Sequence, residues 1–111
     1  MRIQDDIKSK YSDFKDLLIS HNVKYLYAFG SSVTDSFQEP DSDIDLMIEL
    51  DEPDPLKRGE MLLDLWNKFE GFFNKKVDLL TNDSIRNPIL KANIDRTKIL
   101  IYDGKGQKIF V

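Results

Sequence analysis

The chain has 111 residues with 20 acidic against 16 basic, a net charge of -4, 41% hydrophobic residues, no cysteine and one histidine. That length suits a single domain, residues 1–111 with a core over about 23–102 and a tail at 103–111, and leaves no room for a separate substrate-binding domain. The acidic balance argues against direct nucleic-acid binding, the missing cysteines exclude disulfides and thiolate metal sites, and no apolar run reaches membrane length or follows a signal-peptide start, so the expected location is cytoplasmic.

In chain order, Ile3, Ile7, Tyr11, Phe14, Leu17 and Leu18 recur at three- and four-residue steps and predict one helix over 3–20, stopped at His21-Asn22. His21 reads as a surface residue at that helix end. "VKYLYAF", Val23–Phe29, predicts a strand buried on both faces that ends at Gly30. A short helix over 31–37 and a loop at "QEPDS" follow, then a second strand at "IDLMIEL", Ile44–Leu50. In "DEPDP", Asp54 is placed as N-cap and Pro55 as first residue of the main core helix, whose Leu56, Met61, Leu62, Leu65, Trp66, Phe69, Phe72 and Phe73 follow helical spacing to about Asn74. If those aromatics exceed what one small core can bury, the excess marks a partner interface. A third strand spans 75–81, with Lys75-Lys76 as its solvated entry; a short helix starts at Asn82 or Asp83 and runs to about Ala92, and a fourth strand covers 98–102. The tail either turns back as a hairpin at Asp103-Gly104 or hangs loose. This order predicts an α/β (α+β) domain with a small mixed sheet of about four strands flanked by helices.

The chemistry-bearing residues fall at strand ends. With 15 aspartates in the chain, about two Asp-x-Asp pairs arise by chance, so Asp43 and Asp45 mean little alone. Position changes this. At the start of a strand, alternate residues share a face, and two carboxylates aimed the same way repel unless a hard cation such as Mg²⁺ lies between them. Gly30-Ser31, directly after a buried strand, allows close backbone approach and offers N–H groups to an anion such as phosphate; the structural alternative is a tight turn with Ser31 as helix cap. Asp78, central in the apolar "KKVDLLT", is costly in a buried strand without a partner; it either joins a metal cluster, takes a proton from an attacking hydroxyl, or reaches solvent at the sheet face.

Together, "AFGSSVTDSFQEPDSDIDLMIEL" and "VDLL" resemble the nucleotidyltransferase superfamily typified by DNA polymerase beta, and specifically its minimal members, the MNT domains. The resemblance spans Val23 to about Tyr102 and implies the nucleotidyltransferase fold. It further implies that Gly30, Ser31 and Ser42 hold the nucleotide, that Asp43 and Asp45 bind two Mg²⁺ ions, and that Asp78 shares one metal and activates the acceptor hydroxyl. The implied reaction transfers a nucleoside monophosphate from ATP or another NTP with release of pyrophosphate. Minimal members commonly act as antitoxins beside HEPN-domain toxins, attaching AMP to a tyrosine of the toxin, so a HEPN partner is implied too. One departure stands out: relatives often continue Gly-Ser with arginines, whereas here Ser32, Val33, Thr34 and Asp35 follow, so the positive charge falls to Lys91, Arg96 or a partner. The alternative is a binding module that neutralises its partner by contact alone. Modification of a small molecule such as an aminoglycoside is disfavoured, because no residues remain to build its pocket.

Overall fold

The computed structural model describes residues 3–30 and 43–111, and everything below concerns those residues. Strands β1 (Val23–Phe29), β2 (Ile44–Leu50), β3 (Val77–Thr81), β4 (Ile99–Asp103) and β5 (Lys108–Ile109) form one sheet in the order β3-β2-β1-β4-β5. Only β2 and β3 run parallel; the other pairs are antiparallel. A parallel pair needs a crossover, and α3 (Pro55–Phe73) supplies it. The other helices are α1 (Ile3–Ser9), α2 (Tyr11–Ser20) and α4 (Pro88–Thr97).

Period-two alternation divides the sheet residues between two apolar clusters. Leu26 and Ala28, Ile44, Leu46 and Ile48, and Val77 and Leu79 pack with Ile3, Ile7, Phe14, Leu18, Leu65, Phe69 and Phe73 of the first three helices. Phe14 lies at the centre, with ring centroids 5.8 Å from Phe69, 5.1 Å from Phe72 and 6.0 Å from Phe73. The aromatic stripe of α3 packs on this core, Phe69 and Phe73 buried and Trp66 and Phe72 partly so. On the opposite face Phe29 and Met47 meet Ile85 and Ile94, with Tyr27 and Leu80 partly buried beside them.

Local signals place most elements. Asp54 caps α3, its side chain accepting from the Leu56 N–H at 3.1 Å, and Pro55 begins the helix. Asn74 ends it in the left-handed region, at φ 53°.

Several expectations need correction. The helix over 3–20 is two helices, broken at Lys10, whose φ of -133° and ψ of 45° are not helical. The Ser9 hydroxyl donates to the Asp6 carbonyl at 2.8 Å, the kind of local bond that competes with a continuing ladder, and the unbroken apolar spacing conceals it. Tyr11 and Leu56, read as core positions, are exposed, Leu56 at 72%. β1 is not buried on both faces, since Lys24 is exposed and Tyr25 and Tyr27 are half-buried. β3 begins at Val77 rather than Lys75. The helix from Asn82 or Asp83 to Ala92 is instead a 3₁₀ turn at Asn82–Ser84 followed by α4, because Pro88 suits a first helical position and Asn87 caps it, accepting from Ile89 and Leu90 N–H groups. The tail does form a hairpin, so the sheet has five strands rather than about four.

His21 is also corrected: it is buried, at 7% exposure, not on the surface. Its Nε2 lies 2.7 Å from Asp64 Oδ2 and its Nδ1 2.9 Å from the Leu17 carbonyl oxygen, tying the end of α2 to α3. That bond, joined by Lys68, holds the Asp64 carboxyl below the usual carboxylate range. Removing the Asn87 cap is predicted to cost about 1 kcal/mol in Asn87→Ala, read as a lower denaturant midpoint with unchanged slope.

Candidate active site

The site is assembled by strand register. Asp45 of β2 pairs with Asp78 of β3 and, on its other side, with Phe29 of β1. Partners directly opposite one another share a face, so both carboxylates project on the side of Phe29 and Met47, away from the larger core. Asp43 stands two residues earlier, which alternation places on the same side.

Side chains of α3 fix the start of β3. Trp66 Nε1 donates to the Val77 carbonyl at 2.6 Å, and the Val77 N–H donates to Glu70 Oε2 at 3.0 Å. The Ile44 N–H donates to the Lys76 carbonyl at 3.0 Å, locking β2 to β3 one residue before the aspartates. A one-residue slip would send Asp78 to the other face. Trp66 and Glu70 are the positioning residues that sequence reasoning missed; the available signal was that a partly buried tryptophan needs an N–H acceptor. Trp66→Phe is predicted to cost about 1–2 kcal/mol by stranding the Val77 carbonyl, and to lower activity through the Asp78 register; a chemical denaturation curve measures the first and a turnover assay the second.

Of the three carboxylates, Asp45 carries the electrostatic strain. Asp45 is pushed up to about 6, first by burial, then by the charge of Asp78, then by that of Asp43. Gly30, at φ +63°, ends β1 against this carboxylate, and a Cβ added there would come 2.6 Å from Asp45 Oδ2. The left-handed backbone favours glycine here, and a methyl group could be accommodated only by moving the Asp45 carboxylate.

Among the described residues no group of three or more His, Asp or Glu side chains is gathered tightly enough to hold an ion as it stands. The donor chemistry nevertheless fits a hard divalent cation: oxygen donors only, on one sheet face, with Asp45 destabilised as an anion by its own neighbours. Ser31 and Ser42, the other expected nucleotide contacts, and the expected helix at 31–37 lie outside the described residues. Of the cations named as substitutes for the missing arginines, Arg96 is exposed and donates to Asn93 Oδ1 at 3.0 Å, and Lys91 is half-buried on α4. The described residues also outline two open clefts, one including Ile19, Tyr25, Tyr102 and Lys105 and another including Leu50, Arg58, Leu62 and Asn82; neither is lined by Asp43, Asp45 or Asp78.

The sheet thus has a parallel β2-β3 pair, an aspartate on each of those strands and a glycine closing the strand beside them. The chain belongs to the family described as "Polymerase beta, Nucleotidyltransferase", whose model matches residues 12–107. A Methanocaldococcus jannaschii relative named "Putative protein adenylyltransferase" is 37% identical over 87 residues, covering 78% of this chain and 85% of its own. Among solved structures, a chain of a toxin–antitoxin crystal structure with AMP-PNP matches at TM-score 0.58 and 21% identity, covering 83% of this chain and 72% of that one. A chain from the structure of tri-AMPylated Shewanella oneidensis HEPN toxin with MNT antitoxin matches at TM-score 0.52 and 19% identity, covering 86% and 71%. At those identities the two structures support the fold. No helix among the described residues is long and apolar enough to cross a membrane.

Proposed function

We propose that the chain is a Mg²⁺-dependent nucleotidyltransferase that moves AMP from ATP to a hydroxyl, specifically a tyrosine of a HEPN-domain toxin, and so acts as its antitoxin. The observation that carries this reading is the side-by-side pairing of Asp45 and Asp78, with Asp43 acting on the same carboxylate. The relative's name supports a protein acceptor, and the toxin–antitoxin neighbours support the partner class.

In this reading Asp43 and Asp45 hold the metal and Asp78 shares it; Gly30 and Ser31, with Ser42, receive the nucleotide. When bound, Mg²⁺ supplies charge neutralisation for the phosphates. Asp78 takes the proton of the acceptor hydroxyl, whose pKa of about 10 needs that help near neutrality. The hydroxyl oxygen then bonds to the α-phosphorus, the bond from that phosphorus to the bridging oxygen breaks, and pyrophosphate leaves. Asp45 is half-buried opposite Phe29, which limits water on that side of it.

A second reading, neutralisation by contact alone, is favoured by the absence of any Lys or Arg between Gly30 and Asp43. Pyrophosphate release in the presence of the protein encoded beside this one, Mg²⁺ and each NTP in turn separates the two. Release that depends on the partner and is greatest with ATP supports transfer; stable complex formation with no release under any NTP supports contact alone.

A further inference from the structure

We propose that Lys98 is the cation that receives the nucleotide's polyphosphate, an assignment that rests on the nucleotidyltransferase reading above. The stretch between Gly30 and Asp43 has no Lys or Arg and carries Asp35, Glu39 and Asp41, so it adds negative charge and a compensating cation from this chain must come from elsewhere. Strand register shows where. Asp78 lies beside Asp45 and Asp45 beside Phe29, and the Ala28–Ile99 pair of β1 and β4 places Lys98, the C-cap of α4 one residue before β4, at the Phe29 end of β1. Lys98 thus lies at the end of the sheet that bears the two aspartates. Two strand spacings of about 4.8 Å separate its backbone from that of Asp45, a gap that a flexible four-carbon stem and a phosphate chain can bridge.

The side chain is held on the face that bears the carboxylates. Its ammonium sits 4.5 Å from the centroid of the Tyr27 ring, and Tyr27 packs with the cluster of Phe29 and Met47. The Lys98 backbone N–H donates to the Ile94 carbonyl at 2.8 Å, and Ile94 belongs to that cluster, which fixes the start of the Lys98 side chain beside it. Only 26% of the Lys98 side chain is exposed, which strengthens its attraction for a phosphate relative to a free surface lysine. Asp95 Oδ1, 3.0 Å from Nζ, serves as the resident counterion that a polyphosphate displaces. Neither alternative cation is so placed: Arg96 is exposed, and Lys91 lies seven residues back, about 10 Å along the helix from the site end.

The test is calorimetric titration of the full chain with Mg²⁺·AMP-PNP and, separately, Mg²⁺·pyrophosphate. Lys98→Met, which keeps the stem and removes the charge, is expected to weaken both about tenfold, Lys98→Arg to stay within about threefold of the parent, and Asp95→Asn to bind as tightly or more tightly. Unchanged affinity in Lys98→Met, a loss for AMP-PNP with none for pyrophosphate, or an equal loss in Lys98→Arg overturns the assignment. Were Lys98→Met to unfold, the charge-keeping Lys98→Arg and the counterion variant decide by the same criteria. A parent that binds neither ligand overturns the nucleotidyltransferase reading and this inference with it; a parent that binds while Lys98→Met binds equally overturns the role of Lys98 alone.

Discussion

Asp45→Asn is expected to reduce nucleotide transfer by about a thousandfold while leaving the protein at least as stable as the parent at neutral pH in metal-free buffer. The reason is that the carboxylate works against the fold. Its folded-state value of about 6 stands above the ordinary 3.8 because burial, Asp78 and Asp43 all oppose its charge. A raised carboxyl is favoured by folding in its protonated form. Stability from this group is therefore fully present below pH about 4 and is lost as pH rises through about 6. Two units correspond to about 3 kcal/mol for an enclosed group, and solvent screening of this half-buried one reduces the effect to about 1 kcal/mol. The parent should melt at lower temperature at pH 7 than at pH 4.5 by an amount that Asp45→Asn lacks. Mg²⁺ should raise the parent's midpoint at pH 7 and leave the variant's unchanged. A variant that is clearly less stable than the parent in metal-free buffer would mean that Asp45 is a structural residue.

Gly30→Ala is the second change with a large expected effect, and here activity and stability should part company. The residue occupies φ +63°, where an L side chain costs about 1–2 kcal/mol. Its new methyl would meet Asp45 Oδ2 at 2.6 Å, but that atom ends a side chain that can swing aside. The fold therefore loses only the backbone strain. The carboxylate cannot swing without leaving its position beside Asp78, and a misplacement of that kind costs about a hundredfold in rate. Thermal melting and pyrophosphate release on the same preparation check both halves. Full activity in a folded Gly30→Ala would show that Asp45 need not stand where β1 ends.

Much of the fold is legible in the sequence, and what is legible is local. Asp54-Pro55 announces its helix by the chemistry of two residues, and the composition of "VKYLYAF" and "IDLMIEL" marks both central strands with their observed ends. The break at Lys10 was hidden because Ile3, Ile7, Phe14 and Leu18 keep helical spacing across it. Asn87-Pro88 is the same kind of start signal as Asp54-Pro55, but Asn82 and Asp83 offered an earlier cap and obscured it. His21 was misplaced because its partner Asp64 lies 43 residues away, beyond any local pattern.

The site divides along the same line. That Asp43, Asp45 and Asp78 are candidates for one site could be read from their positions on strands. That Asp45 and Asp78 are direct lateral partners depends on the crossover through α3 and on Trp66 and Glu70 holding Val77, which is tertiary information. The cation proposed for the polyphosphate is equally illegible. Lys98 reads in sequence as the first residue of a strand, whereas it caps α4, and only the pairing of β1 with β4 brings it to the aspartates' end of the sheet.

The most direct measurement is the intact mass of the partner protein after incubation with ATP and Mg²⁺, with either the parent chain or Asp45→Asn. Transfer by the paired carboxylates predicts that the partner gains the mass of one or more AMP units with the parent and none with the variant. A partner mass unchanged by a folded parent, or the same gain with both proteins, would contradict it.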